Sequence, residues 1–202
     1  WPGYDGEIIE PIYGCWKDVP GFTRQRLEKA HATYCGEITM VDTWMGFLLR
    51  RIENMGLLEN TALIFTSDHG FYFGEHGGLF GKMVYEMNQN GEYPTLDDWD
   101  KQTEGGIWAY SPLYEEIVHI PLLISIPGLS AGVYEHLTSA VDVMPTVLEM
   151  LSCNIPDFVE GKSLLPKLVD PTTKNREFTV SSIPFANPGD PVRSVDNFLR
   201  ML

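Results

Sequence analysis

Apolar residues recur at Leu27, Ala30, Tyr34, Ile38, Val41, Met45, Leu48, Ile52 and Met55. Every step is three or four residues, the spacing of one helical face, so the pattern predicts a single long amphipathic helix. Glu28, Glu37, Arg51 and Glu53 fall off the stripe and mark its wet face. Gly56 stands where a left-handed C-terminal cap is wanted. Gly36 and Gly46 lie inside the helix, where each costs up to about 1 kcal/mol relative to alanine. Close packing against a neighbour is the expected reason for both.

After the turn Glu59-Asn60 the period changes. Residues 61–66 form a short, mostly apolar run without polar alternation, the signature of a strand covered on both faces. Residues 121–126 repeat it, closed by Pro127-Gly128 and preceded by a short helical stretch over 112–119. Helix, short connection and buried strand in this order predict an α/β fold with parallel strands and flanking helices. Asp142 is placed to cap a helix through Met150, with Pro145 tolerated in its first turn. Residues 1–22 read as irregular, the signals weaken beyond Gly161, and the chain stops without a clear closing element. Residues 83–110 read as an inserted surface loop. Its acidic patch at Asp97, Asp98 and Asp100 lacks the ligand spacing and central glycine of an EF-hand.

Composition narrows the partners. Lys plus Arg total 14 against 28 Asp plus Glu, a net charge of −14 over 202 residues. That balance argues against a nucleic-acid partner and against an anionic membrane, and any anionic substrate must be met by local positive charge. No run approaches the ~20 apolar residues of a membrane span. Three cysteines, Cys15, Cys35 and Cys153, are too few and too scattered for a zinc motif or a disulfide framework, and read as structural thiols. The chain opens at Trp1 without an initiator Met or a leader pattern, which reads as the middle of a longer protein, with its compartment open.

The chemistry concentrates after the first strand, in Thr66-Ser67-Asp68-His69-Gly70 and in Gly74 through Lys82. In open α/β sheets ligands bind beyond the carboxyl ends of strands, and this loop leaves a strand at that end. Asp68 offers hard carboxylate oxygens to a divalent ion and His69 a neutral imidazole nitrogen. Five glycines within residues 70–81 imply a backbone passing close to something, and Lys82, the one cation of the loop, suits a sulfate or phosphate oxygen. His31, His119 and His136 read as packed or rim histidines.

The order of these pieces resembles the C-terminal half of a sulfatase catalytic domain, within the alkaline phosphatase superfamily, across about residues 30–166. The matching segments are Val41-Asp42, Gly56 through Thr61, Ser67-Asp68-His69-Gly70, Gly74-Glu75-His76-Gly77 and Leu79-Phe80-Gly81-Lys82. Tyr114-Glu115-Glu116 leading to Ile120 through Ile124, Val141 through Thr146, and Glu160 through Pro166 complete the series. The resemblance implies an alkaline phosphatase-like sheet with flanking helices, present here as a partial domain. It implies hydrolysis of sulfate esters with a metal, usually Ca²⁺, or another divalent ion such as Mg²⁺ or Mn²⁺. Asp68 and His69 align with the family's second metal-ligand pair and Lys82 with its sulfate-contacting lysine. His76, in the Gly-Glu-His-Gly segment, is a candidate for the catalytic set, with loop packing as the competing reading.

The Cys/Ser-x-Pro-x-Arg segment that supplies the family's formylglycine nucleophile has no counterpart: Cys153 is followed by Asn-Ile-Pro, and Ser182-Ile183-Pro184 by Phe185-Ala186. The nucleophile and the family's first acidic pair are therefore expected upstream of Trp1. The expected organisation is an irregular segment over 1–22, the catalytic-domain portion over 23–166 and the start of a further segment over 167–202. The 202 residues alone are expected to be inactive and to bind metal weakly or not at all, and the expected partner of the parent enzyme is a sulfated small molecule or carbohydrate. Two alternatives are a phosphodiester or phosphonate hydrolase of the same superfamily and a degenerate sugar-binding module.

Overall fold

The computed structural model describes residues 16–18, 21–82, 84–85, 109–184 and 198–201. In chain order the elements are α1 (Arg24–Asn54), β1 (Leu63–Thr66), β2 (Tyr72–Phe73), β3 (Phe80–Gly81), β4 (Val84–Tyr85), β5 (Ala109–Tyr110), α2 (Glu115–Val118), β6 (Leu122–Ser125), α3 (Val143–Met150), α4 (Leu165–Val169), β7 (Ser181–Pro184) and β8 (Phe198–Met201). Short 3-10 turns occupy Trp16–Asp18, Leu58–Asn60 and Ala140–Asp142.

The long helix forms where its spacing places it. The Thr23 side chain accepts the backbone N–H of Arg26 at 3.3 Å and caps the start. Gly56, at φ +67°, ends it as the sequence requires. Leu27, Ala30 and Gly36 are buried, but farther along the stripe Ile38, Val41 and Leu48 are exposed, and so is the neighbouring Trp44, at 67 %. The described core thus covers only the first turns of the apolar face. A Cβ on Gly46 would meet only the Arg50 guanidinium, at 3.9 Å, so the close neighbour expected there is not found among the described residues.

β1 and β6 pair antiparallel, Thr66 opposite Leu122 and Phe65 opposite Leu123, which corrects the expected parallel arrangement. The covered faces need correction too, since Phe65 is 45 % and Leu123 59 % exposed. An apolar run reports what a strand can bury. Among the described residues β1 has β6 as its one strand partner, and the face carrying Phe65 and Leu123 is left open.

The β2–β3 hairpin is packed between two helices. Side chains alternate along it: Phe71 and Phe73 pack with Phe22, Leu27, Ala30 and Phe80 on the α1 side. Tyr72 turns the other way, onto Leu79, Leu113 and Ile117 of the α2 side. Gly70 is the point of closest approach, since a Cβ there would lie 1.8 Å from the Glu116 carbonyl oxygen. Its backbone N–H donates to the Ile117 carbonyl at 2.9 Å and that of Phe71 to Glu116 at 3.1 Å. The backbone proximity that the glycines imply is here an approach to α2.

The insertion is closed at its base by a ladder, β4 against β5, rather than opening as plain loop. Its acidic patch lies outside the described residues, as do Cys15 and most of the segment 1–22. Cys35 and Cys153 are free and exposed. Beyond Gly161 the chain is more ordered than its pattern suggests, with α4 and an antiparallel β7–β8 pair that takes in Ser182, Ile183 and Pro184.

Asp142 departs most from expectation. Its side chain makes no cap to α3; it is fully buried and gathers four donors. The backbone N–H groups of Ser139 and Lys162 reach it at 2.9 and 2.8 Å, the Asn175 amide at 2.9 Å, and the Arg176 guanidinium pairs with it. Below it the Thr146 hydroxyl donates to the Asp142 carbonyl at 2.6 Å and accepts the Leu164 N–H at 2.8 Å. Gly161 permits the approach, since a Cβ there would lie 1.9 Å from the Val141 carbonyl oxygen.

Candidate functional site

A cleft of about 960 Å³ opens at the end of β1 where β6 begins. Thr66, Asp68, His69 and Lys82 line it together with His119, His136 and residues of the 134–143 and 179–182 segments. The sequence-predicted trio therefore meets in one place, carried by the loop from β1 and by the residue after β3.

The tautomer of His69 follows from its partners. Nδ1 lies 2.9 Å from the Gly70 carbonyl oxygen, which can only accept, so Nδ1 carries the proton and Nε2 presents its lone pair. Nε2 faces Asp68 Oδ2 at 3.5 Å and accepts from the Lys82 ammonium at 3.1 Å. Asp68 Oδ1 accepts the His69 backbone N–H at 2.9 Å, which leaves Oδ2 directed at the ring. That N–H is the main reason the Asp68 carboxyl lies below its ordinary range; the positive charge of His69 when its ring is doubly protonated, and more weakly that of Lys82, acts the same way. The Ser67 hydroxyl donates to the His69 carbonyl at 2.9 Å and pins the turn.

This donor pair fits half of a divalent-ion shell. Two donors each ~2.3 Å from an ion and near a right angle to it stand ~3.3 Å apart. Oδ2 and Nε2 are 3.5 Å apart on an open surface, where the Asp68 side chain is 84 % exposed. Asp68 and His69 would hold such an ion once it took the place of the Lys82 ammonium on the single lone pair of Nε2. No group of three or more His, Cys, Asp or Glu side chains suited to a metal occurs among the described residues.

His76 stands elsewhere. Its ring stacks on Tyr114 with centroids 3.6 Å apart and planes 12° from parallel, and Nε2 lies 2.9 Å from Glu116 Oε2. It is absent from the cleft lining. His119 is exposed at the rim, 3.4 Å from Glu115; His136 lines the cleft edge-on to Tyr134; His31 packs on Phe73. Sequence reading missed the partnership of His76 with Glu116, forty residues away, and the Asp142 hub, for which the Ser139-x-x-Asp142 capping-box spacing was the available signal.

The chain is similar to several known proteins. Arylsulfatase K of Xenopus laevis is 30 % identical over 164 residues, 81 % of this chain and 25 % of that protein. Among solved structures, the phosphonate monoester hydrolase SpPMH from Silicibacter pomeroyi superposes with a TM-score of 0.66 at 28 % identity, over 87 % of this chain and 29 % of that one. A protein solved in complex with its substrate D-glucosamine-2-N,6-O-disulfate superposes with a TM-score of 0.56 at 25 % identity, over 84 % and 28 %. The chain thus spans about a quarter of the length of the relatives it matches. These neighbours share the alkaline phosphatase-like α/β fold, whose superfamily generally uses divalent metals. The Sulfatase family pattern matches residues 13–153, a stretch that holds the whole Asp68, His69 and Lys82 constellation, and the chain belongs to the sulfatase family.

Proposed function

We propose that this chain supplies part of the reaction centre of a sulfate-ester hydrolase acting on a sulfated carbohydrate or other sulfated small molecule. The observation that carries the reading is the convergence of Asp68 Oδ2, His69 Nε2 and Lys82 Nζ in one cleft. Asp68 and His69 are two ligands of a divalent ion, Ca²⁺ in the first instance, which when bound polarises the ester group and offsets its developing negative charge. Lys82 places a compact cation beside them, which a chain of net charge −14 needs where an anion docks. The turn Ser67 to Gly70 fixes which imidazole nitrogen faces the cleft. We assign residues 23–166 to the catalytic domain, with 83–110 inserted and 167–202 opening a further segment. Covalent catalysis needs a nucleophile, and no Cys/Ser-x-Pro-x-Arg segment occurs in the 202 residues.

Phosphonate or phosphodiester hydrolysis is the second reading, favoured by the likeness to SpPMH. One assay separates them: an aryl sulfate and a phenyl phosphonate ester, each with and without Ca²⁺. The isolated chain is expected to turn over neither. A longer polypeptide that contains it together with its upstream residues is expected to prefer the sulfate and to lose activity in the Asp68→Ala variant. Asp68-dependent turnover by the isolated 202 residues overturns the division of labour, and a phosphonate preference overturns the substrate.

A further inference from the structure

The β2–β3 hairpin is a short lever with the site at one end and His76 at the other. Tyr72 pairs with Gly81 and Phe73 with Phe80, so residues 74–79 form the tip, and Lys82 follows the last pair at the open end beside His69. A ladder of two pairs is soft by itself. The buried Tyr72 and Phe80 and the Trp16 N–H on the Gly78 carbonyl, at 2.8 Å, seat it between the two helices. Glu116 holds it twice: its carbonyl accepts the Phe71 N–H at the base, and its carboxylate meets His76 Nε2 at the tip, 2.9 Å away.

We propose that the pairing of His76 with Glu116 is a clasp that aims Lys82, and that His76 is a positioning residue. Several observations point the same way. His76 takes the left-handed conformation, φ +51°, which non-glycine residues rarely adopt without something to hold them. Its ring lies flat on Tyr114 and edge-on to Tyr72, whose hydroxyl accepts the Tyr114 N–H at 3.0 Å, so the tip docks on the residues that open α2. The imidazole also holds the Glu116 carboxyl below its ordinary range. Proton transfer to substrate requires hydrogen-bond reach of the reacting atoms, and neither His76 nor Glu116 lines the cleft. With the tip released, the hairpin keeps its base bonds and the buried Tyr72 and Leu79, but it loses the polar tie between tip and α2 that sets the direction of its Lys82 end.

This rests on the proposed role of Lys82, but its test needs neither metal nor substrate, so the hydrolysis assay and this one fail independently. In the 202-residue chain with ¹⁵N-labelled histidine and lysine, the hydrogen bond between the Lys82 ammonium and His69 Nε2 is read by NMR in the folded fraction. Its signal is expected to vanish in His76→Ala and in Glu116→Ala, which keeps the base bond, and to remain in His76→Gln, whose amide still reaches Glu116. Persistence of the signal in either alanine variant that folds overturns the proposal. Its disappearance in the glutamine variant overturns it too, because the ring's packing, not the clasp, would then carry the effect.

Discussion

Asp142 and Asp68 are the same residue type in two family segments, and the structure uses them in opposite ways. Asp142 is fully buried, and four donors from three parts of the chain close around it. Asp68 is largely exposed; its own neighbour's N–H occupies one oxygen while the other faces His69. A buried carboxylate must be satisfied by the fold itself, or its desolvation goes uncompensated. An exposed carboxylate with a directed free oxygen keeps its capacity for something else. The first organises structure; the second is available for chemistry.

That contrast breaks most readily at Asp142. Asp142→Ala leaves Arg176 without its counter-charge and three further donors unpaired, and unfolding free energy is expected to fall by about 3–5 kcal/mol. Urea denaturation measures it; a decrease below about 1 kcal/mol, the level of an exposed ion pair, would put the two aspartates in one class. A smaller effect belongs to Thr146→Val, which keeps the shape but strips the Leu164 N–H of its acceptor, at about 1–3 kcal/mol on the same measurement.

The smallest effect is at Asp68 and appears as pH dependence. Its folded value lies below the ordinary 3.8, so its contribution to stability is present above that value and is lost as pH falls through the lowered one. A carboxyl ¹³C titration by NMR is expected to place Asp68 below 3.8, moving back towards 3.8 in Lys82→Met. A midpoint above 3.8 would show that the His69 N–H does not hold the carboxylate.

Much of this was legible in the residues. Steps of three and four gave α1 within a few residues of its ends, because helical periodicity is local. Asp68, His69 and Lys82 were legible as a set from their place after a strand in a glycine-rich loop. Strand direction was not, since residues 121–126 read the same in either orientation and only the pairing of Thr66 with Leu122 decides it. Nor was the role of Asp142, whose partners Asn175 and Arg176 lie 33 and 34 residues onward, in a stretch without periodicity. Local rules see caps and faces; they do not see which distant segment folds back.

The close approach at Gly70 sets a limit on protein engineering. Any side chain at that position drives into the main chain of α2, so the loop that carries Asp68 and His69 cannot be grafted onto a new scaffold by itself. Residues 67–82 and 114–118 form one cassette, to be moved, randomised or recombined together.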